Sequence, residues 1–417
     1  MKQRHSMTQR RIWAVLATSA MVGGLSACAG DPTPTDTTTG DTGSNGAQVT
    51  SLTVWDYFAH LDSNSHLAAL YNTCGDQLGI TIQRTADGAV NDNLLQAASG
   101  GNTPDLVILD NPNIAEFAEI GLLVPNSVSG LDASGQSDNI LAAAQVGGET
   151  YGASIGANTL ALFYNTEMLA AAGVEPPTNW DELRAAVAAT TQGDVYGIGF
   201  SAIAGEEASF QFEPFLWGSG AALEKLDSPQ SVEALQLWTD WIANGQASRA
   251  NLNANQQEIR DQFTSGNAAM MVNGTWQLNP VNESGIPYAV VPVPARNGGP
   301  APSPLGGEFI QVVTGDDATV KAAGEFAQCL VDPANLDAWI AAQSYISPYP
   351  ESAAAQAAAN PALVPWVEAI GAAKGRTSDL GSAYPGVSNA LSTAIQEALS
   401  GVKTPEEALT DAQASAG

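Results

Sequence analysis

Residues 151–183 read YGASIGANTLALFYNTEMLAAAGVEPPTNWDEL. Leu160 to Tyr164 is a short apolar run of strand length. The helical segment after it stops at Gly173, and Pro176-Pro177 prevents its continuation. Thr178 or Asn179 then caps a second helix, which carries Trp180, Leu183 and Val187 at helical spacing. Strand, helix, break and capped helix in this order read as one α/β unit.

The same alternation extends in both directions. Upstream, Leu52, Val54 and Tyr57 alternate as a strand, and Leu67, Leu70, Tyr71, Cys74 and Leu78 follow at helical spacing behind Asn64 and Ser65. Ile80 to Ile82 is a second strand and Asn93 to Ser99 a second helix. Asp105 to Leu109 is apolar enough to be a strand buried on both faces, with a helix from about Pro112 to Ile120 after it. This order predicts a largely parallel sheet. Downstream come a strand at Tyr196 to Phe200, a helix from Pro229 to Asn244, and strands at 268–272, 288–293 and 308–313. The remainder reads as helix. A chain of 417 residues exceeds what one hydrophobic core organises, so two lobes are expected.

The first residues have a different character. Lys2, Arg4, Arg10 and Arg11 precede an apolar run from Ile12 to Leu25 that is too short to span a bilayer. Leu25-Ser26-Ala27-Cys28 resembles the bacterial lipobox, which implies a signal peptide over 1–27 and acylation of Cys28. Residues 28–48 contain almost nothing apolar and large, and read as a flexible linker. The expected location is the extracellular face of the cytoplasmic membrane, held by the lipid anchor alone.

The net charge is −29, from 43 acidic and 14 basic residues. Such a chain repels phosphate backbones, so nucleic acid is excluded as a partner. Apart from Cys28, the cysteines are Cys74 and Cys329, which form either one disulfide or two buried thiols.

Three enzymatic patterns fail. Gly152-Ala153-Ser154-Ile155-Gly156 matches a nucleophile elbow, but His5, His60 and His66 all precede Ser154, and that triad needs a later histidine. There is no phosphate-loop motif and no metal-binding spacing of His or Cys, so neither a metal nor a cofactor is expected. Glu206, Glu207 and Glu213 supply carboxylates for a glycosidase, but nothing in the sequence sets their separation.

Aromatic residues instead stand next to polar ones at expected strand ends and turns. Examples are Trp55 to Phe58, Asp110-Asn111, Phe210 to Trp217, Gly274 to Trp276, and Tyr345. A ring covers the C–H face of a sugar, while carboxylates and amides take its hydroxyls. Trp180, Trp238, Trp241 and Trp339 lie on apolar helical faces and belong to the core, whereas Trp276 belongs to a turn.

Several segments carry a family likeness: 151–183, ASGGNTPDLVILDNPNIAEFAEIGLL (98–123), FTSGNAAMMVNGTW (263–276), PLGGEFIQVV (304–313) and SGVKTPEEALTDA (400–412). With them the chain resembles an extracellular solute-binding lipoprotein of an ABC importer, in the carbohydrate branch that includes maltodextrin-binding proteins. The resemblance implies an α/β, two-lobed, type II periplasmic-binding-protein-like fold, with hinged lobes and a discontinuous chain. Lobe 1 would comprise 49–157 and 310–347, and lobe 2 158–309 and 348–417. The chain would cross between them near Ile155 to Thr159, Gly306 to Phe309 and Ser347 to Tyr349.

The resemblance also assigns ligand contacts. Trp276 matches the family's stacking tryptophan, and Glu207 and Phe210 an acid and an aromatic of the same lobe. Asn158 stands where some relatives have a sugar-bonding glutamate. Asp110, Asn111 and Asn113 occupy a strand end used for polar contacts. Tyr57, Phe58 and His60 follow the first strand, Gly307 and Glu308 sit at the second crossing, and Tyr345 and Tyr384 complete the set. Ser209 stands where maltodextrin binders have an aromatic. The implied partners are a carbohydrate ligand and permease subunits with a separate ATPase, and the implied state is a monomer without catalysis. A receptor for a polyol, peptide or polyamine, or a secreted glycoside hydrolase, is the alternative; an anionic ligand would call for an arginine fork, from Arg84, Arg296 or Arg376.

Overall fold

Eleven strands appear in chain order among residues 48–416, which are those described by the computed structural model. They are β1 (Ser51–Asp56), β2 (Thr81–Ala86), β3 (Leu106–Asp110), β4 (Gln145–Val146), β5 (Glu149–Thr150), β6 (Ala153–Ser154), β7 (Leu160–Asn165), β8 (Tyr196–Gly199), β9 (Ala268–Gly274), β10 (Tyr288–Val291) and β11 (Glu308–Val312). The signal segment 1–27, Cys28 and the linker up to residue 47 lie outside the described residues.

Two sheets carry the fold. The first has the order β2-β1-β3-β11-β6 and the second β10-β7-β9-β8, while β4 and β5 pair only with each other. In β1 the side chains of Leu52 and Val54 are buried as expected, but the third buried position is Asp56, and Tyr57 follows the strand. The central strand β3 is buried from Leu106 through Leu109. Helix starts follow local chemistry. Ser65 caps the helix His66–Leu78, Asn179 caps Trp180–Thr190, and Asn255 with Glu258 forms a capping box for Gln256–Thr264.

The sheets are mixed rather than largely parallel. β1 runs parallel to β2 and β3, but β11 is antiparallel to both β3 and β6. In the second sheet only β8 and β9 are parallel. The reason is topological. Glu308, the first residue of β11, lies opposite Asp110, the last residue of β3. A strand that re-enters a sheet at the C-terminal ends of its neighbours must run back against them. β7 does the same in the second sheet, with Leu160 opposite Gly274 at the end of β9.

Two segments connect the sheets, from β6 to β7 and from β10 to β11, and backbone bonds lace them to each other and to the stretch at Ile346. Ala157 and Ile346 exchange N–H···O bonds of 2.9 Å each, Asn158 and Gly306 exchange bonds of 3.1 and 2.9 Å, and Ile155 donates to Glu308 O at 2.9 Å. Gly307 shows why this ladder needs glycine: its φ is +120°, and a Cβ there would lie 2.2 Å from the Gly156 carbonyl oxygen.

One apolar core lies with each sheet. A third contains Val107, Leu109, Phe163, Met271 and Trp366 together with Ala157, Leu305 and Ile346 from the laced segments. Trp180, Trp238, Trp241 and Trp339 are all buried. Phe210 to Trp217, placed by sequence at a strand end or turn, lies instead within a helix, Glu206–Gly218, that is buried from Ala208 onward. Because this helix is enclosed on every side, polar Ser209, Gln211 and Glu213 are buried among its apolar residues and no 3.6-residue stripe appears; Pro214 inside it further obscures the pattern.

Cys74 and Cys329 are joined by a disulfide between the helices His66–Leu78 and Asp317–Leu330. No helix among the described residues is long and apolar enough to cross a membrane.

Candidate ligand-binding cleft

The C-terminal ends of β1 and β3 in one sheet and of β9 in the other open onto a cleft of about 640 Å³. This is where an α/β fold leaves backbone polar groups and loop side chains available to a solute. Twelve of the fourteen ligand contacts expected from sequence line it: Tyr57, Phe58, His60, Asp110, Asn113, Asn158, Glu207, Phe210, Trp276, Gly307, Glu308 and Tyr345.

Trp276 follows β9 in the short turn Thr275–Gln277 and is partly buried, packed against core residues of both sheets. The site for its indole is made by Gly274, where a Cβ would stand 2.0 Å from a ring carbon. Phe210 approaches it with ring centroids 6.1 Å apart. Across the cleft Tyr57 and Phe58 stack at 4.4 Å, and Phe58 is anchored edge-on to Trp339 at 5.2 Å. Aromatic surface therefore reaches the cleft from both sheets.

Glu308 is the best-enclosed acid of the cleft, with 4 % of its surface exposed. Its Oε1 accepts hydrogen bonds from the Tyr57 hydroxyl and, at 3.0 Å, from the Tyr345 hydroxyl. Its Oε2 has no partner among the described residues. Burial pushes its pKa up to about 7, against the lowering effect of the tyrosine bonds.

A second polar cluster centres on Arg376, whose side chain is 1 % exposed. Its guanidinium contacts Asp110 at 2.5 Å and Glu206 at 2.7 Å, donates to Leu305 O at 3.3 Å, and lies 4.9 Å from the Phe210 ring centroid. Both edges and one face are thus engaged, and no fork is left for an anion. Arg84 is likewise engaged with buried Asp56, at 2.6 and 2.8 Å, and Arg296 with Glu233 at 2.8 Å.

Behind Glu206 the network continues into the core. The Tyr384 hydroxyl lies 2.7 Å from Glu206 Oε1 and 2.8 Å from Glu213 Oε1, and Ser388 donates to Glu206. Burial, followed by the charge of Glu206, raises the Glu213 pKa well above the carboxylate range. A tyrosine hydroxyl has one proton to give. The arrangement is satisfied when neutral Glu213 donates to Tyr384 and Tyr384 donates to Glu206.

Two expected contacts lie elsewhere. Asn111 is fully buried and donates at 3.2 Å to both Leu305 O and Gly307 O, so it braces a connecting segment. Tyr384 is 1 % exposed, enclosed by the network just described. Glu207 does line the cleft, but one of its oxygens accepts from the Gln256 N–H at 2.6 Å, and burial raises its pKa. Lining residues that are not among the expected sugar contacts include Glu206, Arg260 and Arg376. Arg376 follows a glycine in a segment with no strand or helix period, so only the folded arrangement shows where it goes. No group of three or more His, Cys, Asp or Glu is arranged to hold a metal among the described residues.

Residues 68–365 match the family described as "Bacterial extracellular solute-binding protein". A maltotriose-binding protein of Pyrococcus abyssi (strain GE5 / Orsay) is 31 % identical over 209 residues, 48 % of this chain and 43 % of that protein. The chain spans about half the length of the curated relatives it matches. Among solved structures, the GacH receptor of Streptomyces glaucescens GLA.O, studied unliganded and with acarbose, superposes with a TM-score of 0.75 at 24 % identity, over 88 % of this chain and 97 % of that one. Maltose-bound T. maritima MalE3 gives 0.78 at 19 % identity, over 88 % and 99 %. At these identities the structural likeness establishes the two-lobed solute-binding fold.

Proposed function

The chain belongs to the bacterial extracellular solute-binding proteins, and from that premise we propose that it is the receptor of an ABC importer, binding a sugar or short oligosaccharide between its lobes. The observation that carries this reading is the cleft itself. Rings of Trp276 and Phe210 on one side and Tyr57 on the other offer flat apolar surface, and Glu308, Asp110 and Asn158 offer acceptors beside them. That pairing suits a molecule with C–H faces and a belt of hydroxyls.

The lobes of this reading are 49–157 with 310–347, and 158–309 with 348–417. They turn about the three laced segments, near Ala157, Gly306 and Ile346. A solute that touches both lobes binds the closed form more tightly, and that difference drives closure. The closed shape is what a membrane permease would take up, and no bond in the solute is made or broken. Cys28 carries the lipid and residues 28–48 form the tether. The maltotriose-binding relative supports a carbohydrate ligand. Ser209 is buried and donates to Ser388 O at 2.7 Å instead of lining the cleft, so it does not bear on which sugar is bound.

A thermal-shift screen of mono- and oligosaccharides, with product analysis of each mixture, tests the reading. Stabilisation by a sugar recovered intact is expected. Stabilisation by non-sugar solutes alone, or release of cleavage products, overturns it.

A further inference from the structure

The carboxylates of the cleft outnumber its cations, and the cations are already engaged. Asp110, Glu206, Glu207 and Glu308 line it, against the guanidiniums of Arg376 and Arg260. Arg376 is held by Asp110 and Glu206. Arg260 is held outside this set, by Asp261 at 2.7 Å and Gln277 at 3.2 Å. Glu308 has only tyrosine hydroxyls, both on one oxygen, and the other oxygen is buried without a partner among the described residues. Its neighbour across the strands is Asp110, a group of the same sign.

A buried carboxylate in this position is costly to ionise unless a positive charge arrives with the solute. A hydroxyl supplies one hydrogen bond to the carboxylate and leaves its charge uncompensated. An ammonium group supplies the bond and the opposite charge together. The net charge of −29 favours approach of a cation, and the engaged state of Arg376 disfavours an anion.

We propose that the preferred solute is a sugar carrying a protonated amine, and that its ammonium group pairs with the Glu308 carboxylate. This rests on the carbohydrate reading above and narrows its chemical class. The raised pKa of Glu308 agrees with it, because a cation beside this buried carboxyl group would favour its ionised form.

The test is calorimetric titration of the intact protein with matched sugars that differ only in the substituent at C2 of each unit. Suitable sets are glucose, glucosamine and N-acetylglucosamine, the corresponding galactose set, and the β-1,4 dimers of the glucose set. The proposal expects an amine to bind at least tenfold tighter than its hydroxyl and acetamide counterparts. It expects Glu308→Gln to abolish that advantage while the neutral sugars change less. Equal or tighter binding of the neutral members by the unaltered protein overturns the amine proposal and leaves the sugar reading standing. An amine preference that survives in Glu308→Gln overturns the role given to Glu308. Binding by no member of any set counts against the sugar reading and removes this proposal with it.

Discussion

Arg376 and Asp110 meet at 2.5 Å, although they lie 266 positions apart in the chain and one of them ends a strand of the first sheet. The arginine side chain is all but inaccessible, and the same guanidinium also holds Glu206 on the helix Glu206–Gly218. Arg376→Met keeps the apolar stem but leaves two carboxylates facing each other without a cation. Removing one partner of such a buried cluster costs about 3 kcal/mol. Urea unfolding is expected to show a lower midpoint at an unchanged slope, and the loss is expected to shrink as the pH falls and the carboxylates are protonated.

Trp276 owes its position to Gly274, so both residues predict the same phenotype. Trp276→Ala is expected to weaken sugar binding at least tenfold with the fold retained, since the indole is only partly buried. Gly274→Ala is expected to weaken binding as well, because its Cβ would occupy the space of the ring. Titration calorimetry measures both, and an unchanged affinity in Trp276→Ala refutes the stacking role.

Glu308 makes stability depend on pH in a stated direction. Its pKa in the fold, about 7, lies above the value near 4.5 expected of an exposed glutamate. The folded state therefore holds the proton more tightly than the unfolded state. This contribution is complete below about pH 4.5 and is lost as the pH rises through about 7. Glu213, raised in the same sense, adds to the trend. Unfolding of the ligand-free protein is expected to become easier over this window, and Glu308→Gln is expected to flatten the slope by about 3 kcal/mol in total. Thermal melts of the two proteins from pH 4 to pH 8 supply the comparison. Parallel curves contradict the assignment.

The disulfide Cys74–Cys329 spans 255 positions and ties the early part of the first sheet's chain to the part that returns after the second connecting segment. Its removal by Cys74→Ser with Cys329→Ser is expected to cost about 2–5 kcal/mol. Neither cysteine lines the cleft, so ligand affinity measured below the melting range is expected to stay within twofold.

Much of this protein is legible in short windows of sequence. β1, β3 and β7, the helices capped by Ser65 and Asn179, and the core tryptophans all follow from periods and caps. The turn position of Trp276 also follows from its immediate neighbours. These features depend on residues a few positions apart, and a linear pattern contains that information. The alternating order of elements and the family-like segments were enough to place the chain in a two-lobed α/β class.

Other features arise only when distant parts of the chain meet. The antiparallel sense of β11 and β7 depends on where the chain re-enters each sheet, and no local propensity records that. The helix Glu206–Gly218 lost its periodic stripe because it is enclosed on all sides. Asn111 and Tyr384 carry the same groups a ligand contact would, yet the fold turns them onto Leu305, Gly307, Glu206 and Glu213. Arg376 becomes part of the cleft, and Glu308 becomes a buried carboxylate with one bare oxygen, through neighbours more than 30 positions away. Burial and partner identity belong to the packed molecule, and they decide which polar side chains face a solute and which hold the walls in place.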